Sequence, residues 1–152
     1  PMQGTTLFRL RQLNMALEQT SRPCLAELGL TSAQAVVLLW FLRRGGSGAC
    51  ASELHRQLGV SKAALSATLK NLRRSCYLDT VRDPGDDRKK RMAPTARARA
   101  VQPKIEQGLA LQHRRLCDGI PPGQLAAFDR CLDRMLQNLG RCPEPTTGRE
   151  LP

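Results

Sequence analysis

Four consecutive cations, Arg88, Lys89, Lys90 and Arg91, follow the run Asp83-Pro84-Gly85-Asp86-Asp87. Asp-Pro-Gly-Asp is a tight-turn signal, so the cations crowd the tip and exit of a turn. There they can straddle a phosphate ridge, and an arginine at the tip suits the negative potential of a narrow minor groove. Arg88 is the candidate for that groove, and Lys89, Lys90 and Arg91 are candidates for phosphate. A second set precedes them: Ser61, Lys62, Ala63, Ser66, Ala67, Lys70 and Asn71 share one face at helical spacing. Small and polar side chains among cations let a helix backbone approach base edges, and a serine at a helix start can meet a phosphate. Residues 59–100 hold 11 Lys/Arg against 4 Asp/Glu, a net +7. The plainer alternatives are a surface ion pair between Asp86 and Arg88, and a charged strand edge that resists pairing.

Other chemistry is thinner. Six cysteines stand at 24, 50, 76, 117, 131 and 142 with no Cys-x-x-Cys pair, as in a protein of reduced thiols. Cys50 stands where a helix begins, a setting that activates thiols, and Cys24, Cys117 and Cys131 fall in terminal helices. These four are the candidates for a redox switch; the plain reading is small residues filling an aromatic-poor core. His55 and His113 are far apart in the chain and read as structural or solvated, so no metal or cofactor is expected. A Gly-rich phosphate loop, a nucleophile elbow and a paired-carboxylate constellation are all missing, so an enzyme is not expected.

The candidate residues need a scaffold that presents them together. The chain has 152 residues, 41% apolar but only 3% aromatic, so Leu, Val and Ala must build its core, which suits helices. A formal charge of +11 and a pI near 10.3 make a polyanion the leading partner. No stretch approaches the roughly 18 apolar residues of a membrane span, and the first residues show no secretory pattern. A cytoplasmic protein without a membrane partner is expected.

Leu7, Leu10, Leu13 and Leu17 predict a helix from Leu7 to Leu28, kinked or restarted at Pro23 and ended by Gly29. Thr31 to Gln34 fits a capping box before the apolar run Ala35 to Leu42, which predicts a buried central helix. Gly45 to Gly48 reads as a flexible turn. A short helix over 51–58, a break at Gly59-Val60-Ser61 and a helix from Ser61 to Arg74 form a helix-turn-helix, with Gly59 suiting the turn. Tyr77–Arg82 and Lys89–Ala93 read as a hairpin. Thr95 opens a long helix to Cys117 with Pro103 inside it, and Pro121-Pro122-Gly123 opens the last. That last helix carries Leu125, Phe128, Leu132, Met135 and Leu139 on one face and stops at Gly140. The expected fold class is mainly α with a small β-hairpin wing: a winged helix-turn-helix with an α-helical dimerisation region. Residues 5–44 would be N-terminal helices for dimerisation and scaffold, 45–94 the winged helix-turn-helix DNA-binding region, 95–140 C-terminal dimerisation helices and 141–152 a disordered tail.

Three stretches resemble the MarR (multiple-antibiotic-resistance regulator) family of transcription factors. The segment from Leu28 to Leu39, LGLTSAQAVVLL, is similar to the family's second helix and its entry. Ser52 to Ser61, SELHRQLGVS, with Leu65, Leu69 and Leu72 beyond, is similar to its helix-turn-helix. Arg82 to Arg88, followed by Thr95, resembles its wing and fifth helix. In that family the Asp at the position of Asp86 braces the wing, and the Arg at the position of Arg88 contacts DNA. The chain departs by having His55 for a usual Ala, Cys76 for Gly, Pro94 for Leu and Ala98 for Gly.

The resemblance implies a homodimer whose first, fifth and sixth helices interleave, and a palindromic operator with half-sites about 34–36 Å apart. It also implies effectors bound between the dimerisation helices and the winged region. Trp40, Phe41 and Arg43 are candidates to line such a pocket for a small aromatic or phenolic effector; a core role is the plain reading. The family's peroxide sensors carry a reactive Cys near the start of the first helix, where Leu13 to Leu17 stand here. The expected function is a homodimeric, sequence-specific DNA-binding regulator, a repressor released by a small molecule. The alternatives are a thiol-based redox regulator on the same fold and a non-specific architectural nucleic-acid binder.

Overall fold

A computed structural model describes residues 2–44, 48–58, 60–83, 85–88 and 90–140. The turn expected at Gly45 to Ser47, the helix-turn-helix glycine Gly59, the phosphate candidate Lys89, Cys142 and the tail expected at 141–152 lie outside the described residues. Along the described chain run α1 (Met2–Ala26), α2 (Ser32–Arg43), α3 (Ala51–Leu58), α4 (Lys62–Arg74), β1 (Leu78–Arg82), β2 (Lys90–Pro94), α5 (Ala96–Cys117) and α6 (Pro122–Asn138).

Helix boundaries follow local capping chemistry. Thr31 accepts from the Gln34 N–H while Gln34 accepts from the Thr31 N–H, a complete capping box at α2. Ser61 caps α4 and Thr95 caps α5 in the same manner, each accepting from the N–H three residues on. Two helices end alike. After α1, Leu30 N–H donates to Leu25 O and Gly29 N–H to Ala26 O, with Gly29 at φ 67°. After α4, Tyr77 N–H donates to Leu72 O and Cys76 N–H to Arg73 O, with Cys76 at φ 61°. Both are paired-bond terminations that demand a left-handed residue, and at the second one Cys76 carries the strain that a glycine would avoid.

The helices run through their prolines. α1 begins earlier than the leucine spacing predicted and continues past Pro23 without a restart; α5 likewise contains Pro103. The carbonyls that lose their helical partners belong to Gln19 and Arg99, exposed residues whose carbonyls water can serve. Tyr77, predicted to open the first strand, is instead the buried terminator of α4, and its hydroxyl donates to Leu28 O at 2.6 Å.

α2 is the hub, as an almost wholly apolar helix must be. Ala35, Val37, Leu38, Leu39 and Phe41 are buried, and α1, α4, α5 and β2 pack around it. The core continues through Leu54, Leu65, Leu69, Leu72, Tyr77 and Ile105. The β1–β2 hairpin is antiparallel, with Thr80 opposite Met92 and Arg82 opposite Lys90. Met92 also exchanges two 2.9 Å hydrogen bonds with Ala49, extending the hairpin by a single bridge. Gly48, read above as part of a flexible turn, is buried at φ 68°, and a Cβ there would sit 2.8 Å from Met92 O. Close backbone approach, not flexibility, is its reason.

Candidate nucleic-acid interface

Helices α3 and α4 meet through Leu54, Leu65 and Leu69, with Leu58 and Val60 packed at the edge. Leu65, Leu69 and Leu72 occupy one side of α4, so the other side is left to water. Ser61, Lys62, Ala63, Ser66, Ala67, Lys70 and Asn71 are all exposed there. Ser61 Oγ is held as acceptor by the Ala64 N–H at 3.3 Å, which leaves its O–H free to donate. His55 Nδ1 lies 2.6 Å from Val60 O. A carbonyl only accepts, so Nδ1 carries the proton, and the ring ties α3 to the segment entering α4.

An open groove of about 870 Å³ lies between α3, α4 and the hairpin. Ser52, His55, Lys62, Ser66, Lys70, Arg73, Arg74 and Asp79 contribute its polar lining. Arg73 and Arg74 were missed in the sequence reading, although they continue the basic face of α4 and end it. Four cations against one carboxylate make the groove anion-attracting.

At the wing, Asp86 Oδ1 accepts from the Arg88 N–H at 2.9 Å, and Asp83 Oδ1 accepts from the Gly85 N–H at 3.0 Å. Side-chain caps of this kind hold a turn without a helix or sheet ladder. Arg88 and Lys90 are exposed at the tip and on β2. Arg91, a phosphate candidate by sequence, is placed differently from its neighbours: its side chain is only 20% exposed, lies 3.5 Å from Asp83 and 3.8 Å from Glu53, and donates to Gly48 O at 3.0 Å. Its charge is engaged inside the lobe.

Behind the lobe, α1, α2 and α5 enclose a cavity of about 290 Å³. Its walls are mostly apolar, among them Leu13, Leu17, Leu25, Val36, Ile105 and Leu109, with Lys104, Gln112, Arg115 and Cys24 also lining it. Gln112 donates to Leu17 O at 2.8 Å and to Thr20 Oγ1 at 3.0 Å, joining α5 to α1. Trp40, Phe41 and Arg43, the candidates for an effector site, are not among its lining residues. Phe41 is 1% exposed within the core, while Trp40 donates to Gln57 Oε1 at 2.8 Å and lies under the Arg44 guanidinium at 4.5 Å. An apolar run on all sides of α2 does not reveal which side faces a cavity.

The five described cysteines are free. Cys24 is exposed and lines the cavity; Cys50 Sγ lies 3.1 Å from Ser52 Oγ at the start of α3. Cys117 Sγ lies 3.8 Å from His113 Nδ1, a one-turn neighbour that the sequence reading overlooked, and Cys131 is exposed on α6. Among the described residues no cluster of His, Cys, Asp or Glu could hold a metal, and no helix is long and apolar enough to cross a membrane.

Residues 30–98 match the family model described as a winged helix DNA-binding domain. Among curated proteins, none matches the chain in sequence. Solved structures match its fold. A mutant MarR from E. coli complexed with operator DNA has a TM-score of 0.75 at 22% identity, over 86% of this chain and 94% of that one. The S. aureus MepR–DNA complex gives 0.80 at 17%, over 86% and 96%. The MarR protein from Peptoclostridium difficile gives 0.81 at 22%, over 88% and 86%.

Proposed function

We propose that this chain, a winged-helix protein with the fold of the MarR-family transcription factors, is a homodimeric, sequence-specific repressor released by a small molecule. The observation that carries this reading is the α4 face: seven exposed polar, small or cationic residues on a helix whose other side is buried leucine. Such a face has no packing role and suits a major groove. Ser61, Lys62, Ser66 and Lys70 would read bases and neighbouring phosphates, with Ala63 and Ala67 allowing close approach. Arg88 would enter the minor groove and Lys90 would meet phosphate, with Asp86 fixing the backbone that carries Arg88.

Dimerisation is supported by the apolar surface of the terminal helices. Leu7, Phe8, Met15, Phe128, Met135, Leu136 and Leu139 are exposed, and no residue of α6 is buried. Two-fold pairing through these helices would set two α4 faces on one side of a duplex, about 34–36 Å apart. Bound across a promoter, the dimer would occlude it.

The α1–α2–α5 cavity is the effector site in this account, replacing the Trp40 region. Its apolar walls suit a small hydrophobic ligand, and Lys104 and Arg115 suit an acidic group on it. A ligand there would shift α1 and α5 against α2 and so change the spacing of the two lobes. Cys24 in the same cavity supports a second reading, in which oxidation of that thiol does the same. Selection from random duplexes tests the function: enrichment of a palindrome with half-sites one helical turn apart is expected, and enrichment of nothing would reject specific recognition.

A further inference from the structure

Arg91 is the centre of an ionic relay that joins the wing to the body of the lobe. It stands on β2 opposite Val81. Its guanidinium meets acceptors from three segments: Asp83 where the wing begins, Glu53 in the first turn of α3, and the Gly48 carbonyl beside the Ala49–Met92 bridge. Glu53 is shared with Arg44 at the end of α2, 3.3 Å away, and Arg44 lies over Trp40, which is bonded to Gln57 of α3. Two cations and two carboxylates alternate along this path, so the cluster is neutral inside a basic lobe. A phosphate would have to displace Asp83 and Glu53 to reach Arg91, and their side chains are only 14% and 23% exposed.

We propose that Arg91 is a positioning residue for DNA recognition: it holds the hairpin against α3 so that the wing and α4 meet DNA together, and it does not itself touch DNA. This rests on the DNA-binding reading above. Arginine suits the task because its planar fork offers five N–H donors in fixed directions. A lysine keeps the charge but presents one point donor group, so it cannot span three segments at once. The carboxylate pair also explains why Arg91 differs from its neighbours in the run: Arg88 and Lys90 are exposed, and Arg91 is turned into the lobe.

The test compares wild type with Arg91→Met, Arg91→Lys and Arg88→Ala. In the free protein, Arg91→Met should speed amide hydrogen exchange in β1 and β2 by roughly tenfold while α5 keeps its protection. On a duplex selected from a random pool by the wild-type protein, Arg91→Met should weaken binding by roughly tenfold with an unchanged salt slope. Arg91→Lys should not restore it, and combining Arg91→Met with Arg88→Ala should lose less than the product of the single losses, because a displaced wing has already lost its Arg88 contact. Unchanged hairpin exchange would overturn the clamp. A salt slope flattened by about one unit, with full rescue by lysine, would show instead that Arg91 binds phosphate. If wild type selects no duplex, the DNA-binding reading fails, and the exchange result alone still decides whether Arg91 holds the wing.

Discussion

In the winged lobe the leucines are covered: Leu54, Leu65 and Leu72 are each 1% exposed or less. At the C-terminal end, Phe128 and Met135 of α6 and Leu139 at its cap are exposed, at 45%, 37% and 79%. The lobe closes its core within one chain, because α2, α4, the hairpin and α5 surround each other. The C-terminal end does not, because no residue of α6 is buried, and Leu125 and Leu132 are only half-buried. An amphipathic helix gains stability by burying its apolar face, so the proposed dimer would cover the second region and leave the first as it is. In that proposal the lobes keep their shape while their spacing changes.

Substitutions should separate the two regions. Phe128→Asp is expected to have the largest effect, because an ion buried in an interface costs several kcal/mol. Sedimentation is expected to show a dimer for wild type and a monomer for the variant; the same mass for both would remove α6 from the proposed interface. Leu54→Ala should cost about 2–5 kcal/mol through the cavity it leaves, lowering the melting temperature while the protein at working temperature stays dimeric. Loss of the dimer along with the melting shift would mean the two regions are not separate. Cys76→Gly should act in the opposite direction and least. It relieves a left-handed non-glycine residue and should add about 1 kcal/mol, seen as a higher denaturation midpoint with unchanged DNA affinity.

The contrast also explains what could be read from the sequence. Caps are local chemistry, so Thr31, Ser61 and Thr95 mark three helix starts without knowledge of the tertiary fold. The exposed face of α4 is legible for a related reason: its residues are what remains of the helix once the leucine positions are assigned. Glycine at Cys76 in the resembling family points to a positive φ, which Cys76 adopts. Arg91 is illegible because its partners lie up to 43 positions away, and in the sequence it is one of four adjacent cations. Gly48 is illegible because the backbone that crowds it belongs to Met92. The resemblance places an effector between the terminal helices and the winged region, but the cavity's walls come from helix faces whose pairing is a tertiary fact, so Trp40, Phe41 and Arg43 do not reveal it.

If the basic, winged lobe reads sequence and does not merely attract phosphate, it must prefer one duplex over another of equal charge. Fluorescence anisotropy at about 150 mM salt tests it directly, comparing the duplex enriched from a random pool with a scrambled duplex of equal length and composition. A preference of roughly a thousandfold or more for the enriched duplex is expected. Equal affinity for the two would contradict it and leave an architectural binder that uses charge alone.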